Sequence, residues 1–188
     1  QERLPRAVFS VASQVIAPLR SIKQPDEVAA LREAAEAIDR VHARMGEWLR
    51  PGRTEREIGT DIARAIIEEG HTSVDFVIVG SGPNGASPHH ELSDRLIAAG
   101  DPVVVDIGGT MPSGYCSDST RNYVAGAAAP TAYVEAYAVL AEAQEAQRLH
   151  ARRGVAAESV DDVGRAILRA AGYGDLFIHR TGHGIGLE

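Results

Sequence analysis

Val103-Val104-Val105-Asp106-Ile107-Gly108-Gly109 is the stretch on which the fold turns. Three consecutive β-branched residues between Pro102 and a Gly pair predict a buried strand, with Asp106 at its end. An ionised carboxylate in such a place is costly unless it is paired or bound to metal. Asp118 lies twelve positions on, across the turn Met111-Pro112-Ser113-Gly114, and opens a second strand from Ser119 to Val124. A hairpin would set the two strands side by side and bring both acids together. Close carboxylates repel, and a divalent cation resolves that repulsion. The plainer reading makes Asp106 a turn residue and pairs Asp118 with Arg121; it weakens once the histidines are added.

Working outward, Phe76-Val77-Ile78-Val79 is another short apolar run, leading into a loop from Ser81 that reaches His89 after Pro88. Downstream, His183 stands between Gly182 and Gly184, where the backbone can pass close to a ligand, and His179 precedes it by four residues. His42 falls in a helical stripe, while His71 and His150 lie near helix ends. Capping, surface or core-edge roles are expected for those three.

The flanks read as helices. Pro25 with Asp26 and Glu27 suits a first turn, followed by Val28, Leu31, Ala35, Ile38, Met45 and Leu49 at three- and four-residue steps. Thr54 and Glu57 form a capping box ahead of Ile58, Ile62 and Ile66, with a stop at Gly70. A second helical block runs from Pro130 to about Arg153, and a further helix is predicted from Ser159 to near Gly172. Arg64-Ala65-Ile66-Ile67 before Gly70 matches Arg165-Ala166-Ile167-Leu168 before Gly172, each after an Arg/Gly turn and a capping Thr or Ser. The ordered agreement favours a duplicated α+β unit over chance likeness, with the second copy lacking its later strands.

The 188 residues suffice for one domain with a sizeable core, and no apolar run approaches the ~20 residues of a membrane span. A net charge of −7 argues against a nucleic-acid partner. Cys116 is the lone cysteine and cannot form an internal disulfide, so a reducing cytoplasm is the expected home. Residues 1–20 are expected to be a stub of an N-terminal domain or a linker, and 21–188 a catalytic domain incomplete at its C-terminus.

Three segments together, Val105 to Gly109, Tyr115 to Arg121 and His179 to Leu187, resemble the pita-bread metallopeptidases. Within that group the chain is most similar to Xaa-Pro dipeptidases (prolidases) and aminopeptidase P, with methionine aminopeptidases more distant. The likeness covers nearly all of residues 20–188, in order. It implies a pita-bread (creatinase/aminopeptidase) fold of pseudo-twofold duplicated units, the second truncated here. It implies metal ligation by Asp106, by Asp118 bridging two ions, and by His183. His89 and His179 match histidines that line the substrate pocket, move protons or stabilise the tetrahedral intermediate, and Thr120 matches a hydroxyl that steadies a ligand. The implied cofactors are two divalent ions, manganese first, with cobalt, zinc or iron as alternatives. The implied substrate is a peptide with Pro at P1′, and the implied assembly a homodimer.

The chain also departs from that pattern. The family completes its site with two glutamates and a further histidine beyond the Gly-Ile-Gly-Leu-Glu segment, and Glu188 comes too early to match either acid. The hairpin is one residue longer than the family's. The chain alone is therefore expected to hold metal weakly and to be inactive. Rival expectations are a methionine aminopeptidase, a non-catalytic pita-bread binding module, and metal-free creatinase-like hydrolysis, which the retained carboxylates disfavour.

Overall fold

The computed structural model describes residues 10–187. Residues 1–9 of the expected stub lie outside them. Helix α1, Ser13–Ser21, buries none of its residues and crosses the expected boundary at residue 20. Next come α2, Pro25–Ala43; a 3-10 turn at Met45–Glu47; and α3, Glu55–Glu68. Strand β1 spans Ser73–Ser81, β2 Pro102–Thr110 and β3 Ser119–Val124. Helices α4, Thr131–His150, and α5, Ala157–Ala170, complete the described elements, with a 3-10 turn at Gly174–Leu176. No helix among the described residues is long and apolar enough to cross a membrane.

Both predicted signals at the start of α3 are made. Thr54 Oγ1 accepts Glu57 N–H at 3.1 Å, and the Glu57 carboxylate accepts Thr54 N–H at 2.9 Å. Ile58, Ile62, Ala65 and Ile66 then fall on one stripe of the helix and are all buried. They pack with Ile38 and Val41 of α2 on Val79, Val103, Val105 and Ile107, one face of the sheet.

The sheet is antiparallel throughout, in the order β1-β2-β3. Strand period two splits it into a buried face and a second face carrying Ile78, Val104, Asp106 and Thr120. The expected hairpin is present, but β2 does not end at Asp106. It continues four residues to Thr110, so Asp106 sits mid-strand, opposite Ile78 on one side and Thr120 on the other. Gly108 and Gly109 are what let it continue: a Cβ on Gly108 would collide with Ser117 O, and one on Gly109 would lie 2.5 Å from Ser73 O.

The second pair of helices differs from the sequence reading at its start. Helix α5 begins at Ala157, two residues before Ser159. Ser159 is inside the first turn, its hydroxyl donating to Ala156 O and meeting His150 Nε2, so it is no N-cap. Beyond Leu176, residues 177–187 form no strand.

Candidate metal centre

Asp106, Asp118, His183, His89 and His179 all line one cleft of 870 Å³ on the second face of the sheet. Phe76, Ile78 and Val104 supply its apolar floor. All five residues expected at the site are thus brought together. Asp118 precedes β3 and keeps the strand's alternation, so its side chain falls on the same face as Asp106 and Thr120. Thr120 Oγ1 donates to Asp106 Oδ1 at 2.6 Å.

The two acids repel each other. Burial first, and the Asp106 charge next, push the Asp118 carboxyl above its usual range, with His183 opposing them. His183 Nε2 lies 3.2 Å from Asp118 Oδ2. Its Nδ1 is 2.9 Å from Gly184 O, which can only accept, so Nδ1 carries a proton. In the neutral ring, Nε2 then turns a lone pair towards a carboxylate oxygen. Two acceptors face to face need a proton or a cation between them, so the donor chemistry of Asp106, Asp118 and His183 suits a divalent ion. The count falls short: among the described residues no three His, Cys, Asp or Glu side chains converge closely enough to hold a metal.

The two pocket histidines arrive on irregular backbone. His89 and His179 meet edge to face, with ring centroids 5.7 Å apart. His89 rides on the loop after β1, and that loop is organised by Glu55, which the sequence does not single out. Fully buried, Glu55 accepts from Ser81 N–H (2.8 Å), Ser81 Oγ (2.6 Å), Asn84 Nδ2 (3.1 Å), His90 Nε2 (2.7 Å) and Ser93 Oγ (2.5 Å). Burial pushes its carboxyl up, but the hydrogen bonds outweigh burial and hold it at about 2. His90 is therefore a loop anchor, and the neighbouring His89 is the cleft residue. The only hint in the sequence is the cluster of small donors, Ser81, Asn84 and Ser93, around that loop.

His179 and His183 depend on two further residues that sequence reasoning missed. Arg165 Nη1 donates to Phe177 O at 3.0 Å and Nη2 to His179 O at 2.6 Å, with the guanidinium 4.6 Å from the Phe177 ring centre. Asp161 pairs with Arg165 and accepts Thr181 N–H at 3.0 Å. The Thr181 hydroxyl, then Arg165, keeps the Asp161 carboxyl below the usual range. Their i, i+4 spacing on a helix was the available signal.

A family model described as metallopeptidase family M24 matches residues 29–188. The chain belongs to that family. Over 94% of its length it is 54% identical to a probable dipeptidase PepE of Mycobacterium tuberculosis. The crystal structure of dipeptidase PepE from Mycobacterium ulcerans superposes with a TM-score of 0.90 at 53% identity, covering 94% of this chain and 47% of that one. Prolidase from Pyrococcus furiosus gives a TM-score of 0.91 at 35% identity, covering 96% and 53%. The α+β pita-bread fold expected of an M24 chain is the one found. The chain spans about half the length of the curated relatives it matches, 47% for the mycobacterial protein.

Proposed function

We propose that this M24 chain carries the upstream part of a metal-dependent site that cleaves Xaa-Pro peptide bonds. The observation that carries the reading is the convergence of Asp106 and Asp118 on one open sheet face, with His183 Nε2 3.2 Å from Asp118. Asp106, Asp118 and His183 would hold divalent metal, manganese first and two ions in the complete site. Bound metal would supply Lewis-acid polarisation of the scissile carbonyl and an activated water. The names of the relatives, dipeptidase and prolidase, support a short peptide with Pro at P1′ over a methionine aminopeptidase substrate.

The chain's own residues contribute shape and protons. Phe76, Ile78 and Val104 give a pyrrolidine ring an apolar wall. His179 Nδ1–H donates to Arg180 O, so Nε2 is the nitrogen left for the substrate; once it has taken up a proton it would donate to the scissile carbonyl oxygen, a hydrogen bond that strengthens as that oxygen gains charge. His89, packed on the His179 ring, holds that ring in place. The same reading makes the whole protein a cytoplasmic homodimer, and makes residues 1–188 by themselves weak metal binders without turnover.

Calorimetric titration of the 188-residue chain with Mn²⁺, then with Ala-Pro and Met-Ala, tests this. The expected result is weak Mn²⁺ binding that Asp118→Asn removes, and Ala-Pro bound in preference to Met-Ala. No Mn²⁺ binding would sink the metal site, equal uptake of Met-Ala would sink the substrate class, and Ala-Pro hydrolysis by the chain alone would sink its inactivity.

A further inference from the structure

Two histidines outside the cleft reach the residues on either side of Asp118. His71, between α3 and β1, is 3% exposed, and its Nε2 lies 2.8 Å from Ser117 Oγ. Its Nδ1 lies 3.1 Å from Ile66 O. A carbonyl oxygen only accepts, so Nδ1–H donates there, and in the neutral ring Nε2 accepts a hydrogen bond from the Ser117 hydroxyl. Ser117 Oγ in turn accepts Gly109 N–H at 3.2 Å, and Ser117 N–H donates to Gly109 O at 2.8 Å.

On the other side stands His42 of α2, 8% exposed. By the same rule its Nε2–H donates to Ser119 O at 3.1 Å, and Nδ1 accepts the Tyr123 hydroxyl at 2.9 Å. In its neutral form each ring carries one protonated nitrogen and one bare one. Burial lowers the pKa of both and keeps them in that neutral state.

We propose that His71 and His42 are positioning residues that clamp Ser117 and Ser119 so that the Asp118 carboxylate is fixed towards the cleft. The inference rests on the metal reading of Asp118 given above. Side chains alternate along a strand, so pinning Ser117 to the buried side turns Asp118 outward, and a slip of one residue would bury the acid instead. Holding Ser119 O from α2 stops that slip from the far side. The clamp thus joins the helical layer to a ligand that neither histidine touches. Such supports set the affinity of a metal site by presenting a ligand already in place.

The test compares His71→Phe with the double variant His71→Phe/Ser117→Ala, and His42→Phe with His42→Phe/Tyr123→Phe. Unfolding midpoint, amide exchange at Asp118 and Ser119, and the Mn²⁺ dissociation constant by water-proton relaxation are read for each. Each single variant strands a buried polar partner and is expected to lose stability, and its double variant to recover much of it. Mn²⁺ affinity is expected to fall about 10–100-fold in the single variants and to stay low in the doubles. Exchange at Asp118 is expected to quicken in all four. Affinity within twofold of the parent, or affinity recovered along with stability, would make the histidines purely structural and overturn the proposal. A parent chain that binds no Mn²⁺ would instead sink the metal reading. The clamp would then stand if exchange at Asp118 quickens in the double variants, and fall if it does not.

Discussion

Two irregular segments deliver histidines to the cleft, and they are held in opposite ways. The loop from Ser81 to Arg95, carrying His89, closes on one buried carboxylate, Glu55, whose donors come from four residues of that loop. The segment from Phe177 to His183 is laid over α5 by Asp161 and Arg165, whose side chains remain about a quarter exposed. A hydrogen bond in a dry interior is worth more than one that water can replace, so the first anchor should act on the whole fold and the second only locally. The sheet-borne acids stand on the firmer side of this contrast: Asp106 is flanked by strands on both sides, whereas Ile178 beside His179 is 78% exposed.

The largest effect is expected at Glu55. Glu55→Ala strands His90, Asn84 and both serines without an acceptor, and unfolding in urea should show a loss of about 3–5 kcal/mol, with the His89 loop opened. A loss below about 1 kcal/mol would put the two anchors on a par and break the contrast.

Acid is the next lever. Glu55 titrates at about 2 in the fold against 4.5 ordinarily, a depressed value. Its contribution is therefore complete above about pH 4.5 and disappears as pH falls through 2, by roughly 3 kcal/mol in all. The urea midpoint of the parent should fall across that window, and that of Glu55→Gln should fall less. Parallel curves for the two proteins would show that the loop does not depend on the charge.

What could be read in the sequence follows the same division. The hairpin was legible because Val103, Val104 and Val105 declare a strand, and two acids on one face are chemically conspicuous. The capping box of Thr54 and Glu57 was legible because its partners are three residues apart. Glu55 was not, since its donors lie 26–38 positions away and nothing local separates a buried acid from a first-turn one. The length of β2 was misjudged because Gly108-Gly109 usually breaks a strand, while here the missing side chains admit Ser117. His71 and His42, read as capping, surface or core-edge residues, are inside, tied to partners 46 and 77 positions away.

The duplication supplies a smaller and sharper pair of tests, because Arg64 and Arg165 occupy matching places in the two units. Arg165→Ala removes two donors from the carbonyls of Phe177 and His179. Amide exchange in residues 177–183 should become easier by about 1–3 kcal/mol with the global midpoint hardly moved. Among the described residues Arg64 meets only Asp61, at 3.3 Å, with its side chain 66% exposed, and Asp61 keeps a second partner in Arg53 at 2.8 Å. Arg64→Ala should therefore stay within about 0.5 kcal/mol of the parent and leave exchange unchanged everywhere. If Arg64→Ala loosened β1 as Arg165→Ala loosens the His179 segment, the two arginines would share a structural duty inherited with the repeat. The expected asymmetry says otherwise. In the first unit the sheet itself holds Asp106 and leaves its arginine to solvent; in the second, where residues 177–187 form no strand, the arginine takes over that role.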